Sequence, residues 1–124
     1  MKMISRILTA FVALEHLFIL WIEMFAWETV GSRVFTVFSG DFFTLTKSMA
    51  ANQGLYNGFL AAGLIWALLI KDRAWSFRVA RFFLGCVLVA AVFGAFTVET
   101  KILITQGVPA FLGLAALLVS GKKE

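Results

Sequence analysis

The sequence predicts an all-α membrane protein. It reads as a four-transmembrane-helix bundle with both termini cytoplasmic and a short amphipathic interfacial segment between helices 1 and 2. Three observations predict it. Hydrophobic residues make up 61% of the 124 residues and charged residues 15%, with a mean hydropathy of +0.94; an ordinary globular domain is about half apolar and about a quarter charged. Four apolar segments, 4–27, 49–70, 77–98 and 102–120, reach the roughly 20 residues that a spanning helix needs. Basic residues gather at alternate segment ends: Lys2 and Arg6, then Lys71, Arg73, Arg78 and Arg81, then Lys122 and Lys123. The other connections balance Arg33, Lys47 and Lys101 against Glu28, Asp41 and Glu99.

That asymmetry is the positive-inside pattern. It puts the termini and the 71–81 connection in the cytoplasm and the 28–48 and 99–101 connections outside, in a bacterial inner (plasma) membrane. A water-soluble helical core is excluded, because too few polar positions remain to give four helices a wet face. Residues 1–124 read as a single four-helix domain. The net charge of +4 is spread as topology demands, so it implies membrane lipids as partners and no nucleic acid.

The first segment begins like a secretory signal, with a basic start and a short apolar run. No small-x-small cleavage site precedes Glu15 and His16, so it reads as an uncleaved anchor. It carries three ionisable groups: Glu15, the only histidine, His16, and Glu23. Such groups are costly within a membrane and mark a functional site by default. On a helix His16, Leu20, Glu23 and Trp27 share one stripe, while Glu15 points about 100° away from His16. His16 and Glu23 lie roughly 10 Å apart along the axis, too far to share one metal ion. They flank an elongated ligand or form steps of a proton relay, and Glu15 is the member expected to make a purely structural bond.

In the 28–48 connection Phe35, Phe38, Phe42 and Leu45 recur at helical spacing, with Gly40 as a break. This suits a stretch lying flat at the membrane surface, with a lid over an outward pocket as the alternative. The second segment has small residues four apart, Ala50, Gly54, Gly58 and Ala62. The third has Ala90/Gly94 and Ala91/Ala95, and the fourth Gly107, Ala110 and Gly113. Such stripes admit a close neighbouring backbone, within the chain or in a homo-oligomer. The single proline, Pro109, falls where a helix starts or kinks. The lone Cys86 excludes an intrachain disulfide and reads as a small hydrophobe.

The expected topology gathers the polar residues. Glu23, then Asn52, Gln53, Tyr56 and Asn57, then Thr97 and Glu99, then Thr105 and Gln106 all fall in the outer halves of their helices, whereas 60–69, 82–89 and 112–119 are nearly featureless. One polar cavity open toward the outside explains this. Metal and cofactor sites are not expected. There is one His, no Cys cluster and no Glu-x-x-His spacing, and no Ser or Cys is paired with His16 for nucleophilic catalysis. Acid–base chemistry is better supplied, by Glu23, His16 and Glu15 as proton donors and acceptors. Trp27, Asn52, Gln53, Tyr56, Asn57, Glu99 and Gln106 are the candidate ligand-binding residues.

With Glu15-His16, Glu23-Met24-Phe25-x-Trp27, Ala51-Asn52-Gln53-Gly54-Leu55-Tyr56-Asn57-Gly58 and Gln106-Gly107-x-Pro109-Ala110 in that order, the chain resembles the small membrane proteins of bacteria and fungi grouped as domain of unknown function 1304. The resemblance covers nearly the whole chain, and the second motif is quite specific. It implies a four-helix integral membrane protein and brings no activity with it. The expected function is binding of a small, partly lipophilic molecule, with Glu/His acid–base chemistry as an option and catalysis left open. The alternatives are a proton-coupled transporter or channel, and a structural or accessory subunit.

Overall fold

A computed structural model describes residues 1–121 of the chain; the expected cytoplasmic basic residues Lys122 and Lys123 lie outside the described residues. The elements are α1 (Met3–Phe25), a π-helical turn (Trp27–Gly31), α2 (Ser32–Val34), α3 (Phe42–Leu45), α4 (Lys47–Leu69), α5 (Arg73–Thr97) and a second π-helical turn (Leu103–Gly107) that runs into α6 (Val108–Gly121). There is no strand among the described residues. The fold is all-helical, and three helical stretches are long and apolar enough to cross a membrane: α1, α5 and Leu103–Gly121. The expected fourth, α4, has the length, 23 residues. Asn52, Gln53, Tyr56 and Asn57 in its first half lower its hydropathy below that of the others.

Local chemistry sets the boundaries. The apolar run of the third segment begins at 77, but α5 starts at Arg73, because the Asp72 carboxylate accepts the Trp75 N–H at 2.8 Å as an N-cap. Arg78 and Arg81 then lie over the Trp75 and Phe77 rings, 5.3 and 5.7 Å from the centroids. This lets these basic residues of the first half of α5 use their aliphatic stems as apolar surface. Pro109 is the second residue of α6, directly behind the π-helical turn, where the widened backbone adapts to a residue lacking an N–H.

Successive long helices alternate in direction. Arg6 Nη2 donates to Leu68 O at 3.1 Å, tying the start of α1 to the end of α4, and Ser76 Oγ donates to Ala67 O at 2.8 Å across the α4–α5 connection. Along α5 and α6, Gly107 faces Ala91, Gly113 faces Leu84 and Gly121 faces Phe77. Residues near the two chain ends therefore sit at one end of the molecule, filled by the fully buried Leu64, Leu84 and Leu117. Ile22, Trp27, Phe43 and Ala50 form a second core at the opposite end. Phe25, Trp66, Phe82 and Phe96 point outward, an apolar exterior suited to hydrocarbon.

The small-residue stripe of α4 packs on α1. A Cβ on Gly54 would lie 2.7 Å from Met24 Cγ and 3.3 Å from Leu20 O, and one on Gly58 2.6 Å from Leu20 Cδ1. Ala62 is exposed and the fully buried Ala61 takes its place, because steps of four residues drift about 40° each around a helix.

The 35–45 segment departs from its expected form. Gly40, at φ +63°, divides it into a non-helical stretch with a turn at 36–37 and the short α3, and the phenylalanines do not form one amphipathic stripe. Phe35 and Phe42 fold onto Trp27, with centroids 5.4 and 6.4 Å away. Phe38 stacks on Phe42 at 3.9 Å, and Leu45 is left exposed.

Candidate functional site

The last turns of α1 carry Glu23, which is 8% exposed. Gly54 lets α4 come close enough that a Cβ there would lie 3.0 Å from Glu23 Cβ. One turn further along α4, Asn57 Nδ2 donates to Glu23 Oε1, so the carboxyl is held by an amide across the close α1–α4 contact. Among the described residues Asn57 is the hydrogen-bond partner of that side chain.

Beyond Glu23 the helix widens. Gly31 N–H donates to Ala26 O at 2.9 Å, the i to i+5 bond of a π-helical turn. A Cβ on Gly31 would lie 2.8 Å from Trp27 Cε3, so glycine allows the indole to lie flat on the turn. Trp27 Nε1 donates to Thr46 Oγ1 at 3.0 Å, and that hydroxyl donates to Phe42 O at 2.6 Å. The chain thereby anchors this buried aromatic to the entry of α4.

These groups border a cavity of about 530 Å³, between α1, α4, α5, the 35–46 segment and the second π-helical turn. Its size lies within the roughly 300–1,000 Å³ of small-molecule sites. Of the residues selected from the sequence, Glu23, Trp27, Gln53, Asn57 and Gln106 line it. The others lie elsewhere. Asn52 and Tyr56 are exposed, on a face of α4 about 100° from Gln53 and Asn57. Glu99 follows α5, with its N–H on Gly94 O at 3.2 Å and its side chain half-buried. His16 is 1% exposed, and its Nδ1 pairs with Val12 O at 2.9 Å. Glu15 is half-buried without a hydrogen-bond partner among the described residues. The structural bond expected of Glu15 is made by His16 instead. His16 and Glu23 share a helix face, but neither His16 nor Leu20 between them lines the cavity.

The sequence reading gathered Thr97 with the outer polar residues but did not select Thr46, Ile19 or its α5 neighbours Phe93 and Gly94. The α5 residues share a helix face, a signal present in their spacing, but it looks the same as ordinary packing. Phe35, Phe38 and Phe42 also line the cavity; their spacing suggested a surface stripe.

Among the described residues Glu23 is the ionisable group on the wall, and two cations near it, Lys47 and Lys101, are engaged. Lys47 Nζ lies 2.9 Å from Glu28 Oε1, and Thr44 Oγ1 donates to Glu28 Oε2 at 3.2 Å. The hydrogen bond from Lys47, and then its charge, hold the exposed Glu28 carboxyl below the usual carboxylate range. Lys101 Nζ donates to Val34 O at 3.0 Å. Among the described residues no three of His, Cys, Asp and Glu come together as a metal would require. The arrangement can accept hydrogen bonds or charge at Glu23, exchange amide hydrogen bonds at Gln53 and Gln106, and stack rings against a ligand.

A family model described as protein of unknown function (DUF1304) matches residues 10–118. An uncharacterised protein, YpaA, of Lactococcus lactis subsp. lactis (strain IL1403) is 33% identical over 116 residues, 92% of this chain and 96% of that protein. No solved structure matches.

Proposed function

We infer the function from the site itself, because the chain belongs to the family described as protein of unknown function (DUF1304): it is a membrane protein that binds a small, partly lipophilic molecule. The observation that carries this reading is a buried carboxyl, Glu23, held by Asn57 on the wall of a cavity of about 530 Å³ whose remaining wall is largely apolar, with the rings of Trp27, Phe35, Phe38, Phe42 and Phe93 on it. Buried polar groups on an otherwise apolar wall fix a ligand's orientation, while the apolar wall supplies affinity.

In this reading the chain is a four-helix transmembrane bundle in the bacterial inner membrane, with both termini cytoplasmic. The length of α4 and its close fit along α1 support a fourth span. The basic residues Lys2, Arg6 and Lys71, at the end carrying the chain ends, support the orientation. The cavity then faces outside. Glu23 provides charge or proton exchange, Gln53, Asn57 and Gln106 orient the ligand, and Trp27 packs on it. The filled core at Leu64, Leu84 and Leu117 favours a binding site over a path through the molecule.

The test is a thermal-unfolding screen of the purified protein in mild detergent against a panel of small amphipathic molecules. A ligand at about 100 times its Kd adds about 2.7 kcal/mol of stability, a shift of several degrees. Glu23→Gln is expected to change which molecules stabilise. A panel with no stabilising member, and the same blank result for Glu23→Gln, contradicts the reading.

A further inference from the structure

We propose that the cavity is a site for an organic cation, a protonated or quaternary amine on an apolar tail, held between the Glu23 carboxylate and the rings of Trp27, Phe35, Phe38 and Phe42. The proposal rests on the reading of the cavity as a ligand site and names the chemistry of its ligand.

Two independent features point to positive charge. The first is the sign of the wall. Among the described residues Glu23 is the ionisable residue lining the cavity, and no Lys or Arg lines it. Of the cations near that end, Lys47 pairs with Glu28, Lys101 donates to Val34 O, and Arg33 does not line the cavity. Asn57 brings Glu23 a hydrogen bond but no charge. A buried carboxylate calls for a counter-charge, and a ligand cation supplies it.

The second feature is the density of rings. Trp27 has Phe35, Phe42 and Phe43 at centroid distances of 5.4, 6.4 and 5.1 Å, and Phe38 stacks on Phe42 at 3.9 Å. Trp27, Phe35, Phe38 and Phe42 line the same cavity as Glu23. Aromatic faces attract cations through their quadrupoles, more strongly when desolvated, and clustered rings are the recurrent recognition device for quaternary ammonium. The indole N–H is already donated to Thr46, so Trp27 offers the ligand ring surface and no hydrogen bond. The aliphatic and aromatic wall of Ile19, Met49 and Phe93 suits a tail.

The experiment compares two probes of equal tail length, decyltrimethylammonium and decanol, by titration of the whole protein in a non-ionic maltoside detergent. The expected result is at least about ten-fold tighter binding of the cation, equivalent to about 1.4 kcal/mol. Glu23→Gln is expected to bring the two affinities together. Phe38→Leu, which keeps apolar volume and leaves the carboxyl in place, is expected to weaken the cation several-fold and the alcohol little. Equal affinity for both probes in the unsubstituted protein overturns the cation proposal and leaves the ligand site standing. Binding of neither probe overturns the cation proposal, and the ligand-site reading falls with it only if the broader panel is blank as well. A cation preference unchanged in both variants moves the cation to another site and overturns the proposal.

Discussion

Asn57 holds the Glu23 carboxyl across the α1–α4 contact. Asn57→Ala leaves that acceptor without its donor, and we expect a loss of about 1–2 kcal/mol in unfolding free energy. Glu23→Gln keeps a carbonyl for the amide and is expected to cost less; comparative unfolding in one detergent checks the order. Glu28 gives a pH-dependent prediction. Lys47 depresses its folded-state value, so its contribution is present above the ordinary carboxylate value of about 4.3 and is lost as pH falls through the lower folded one. The stability gap between the unsubstituted protein and Glu28→Gln should therefore be small at neutral pH, as for any exposed pair, and absent in acid. A gap that widens in acid contradicts the assignment. Much at this scale was legible in the sequence. Glu23, Trp27, Gln53, Asn57 and Gln106 stood out as polar or amphipathic residues in hydrocarbon, and all five line the cavity. His16 stood out equally, yet its ring bonds its own helix at Val12. A composition anomaly does not reveal which way a side chain finds its partner.

Elements were legible where hydrophobic length defines them and illegible where backbone geometry does. The long helices follow the apolar runs, shifted at α5 by the Asp72 cap. The two π-helical turns at Trp27–Gly31 and Leu103–Gly107 have no periodicity signal, and they border the cavity through Trp27 and Gln106. The 35–45 phenylalanines show why spacing alone misled: Gly40 turns the chain, and the rings cluster on Trp27 instead of sharing a stripe. Glycine contacts make a sharp prediction at this scale. A Cβ at Gly54 meets Met24, Glu23 and a backbone oxygen, whereas one at Gly85 meets nothing within 4 Å. Gly54→Ala should force α1 and α4 apart and cost about 1–3 kcal/mol. Gly85→Ala should stay within about 0.5 kcal/mol of the parent. Equal effects in thermal unfolding contradict the close α1–α4 fit.

At the scale of the whole molecule, an apolar exterior surrounds a filled core near the chain ends and a cavity at the other end. Composition alone made legible the presence of helices long and apolar enough to cross a membrane. The cavity was legible only as a convergence of polar residues, because its aromatic wall comes from a connection whose path no periodicity encodes. Orientation is tested with Cys86→Ser as background. Ser39→Cys should react with a membrane-impermeant maleimide on intact cells, and Lys71→Cys only after permeabilisation; the reverse pattern inverts the topology. The central claim is that the cavity at Glu23 holds a small molecule. Native mass spectrometry of the protein released from mild detergent tests it most directly, beside Ala90→Phe, which fills the cavity wall at α5. A discrete bound mass is expected on the parent and lost from Ala90→Phe. A bare parent mass, or the same adduct on both proteins, would contradict it.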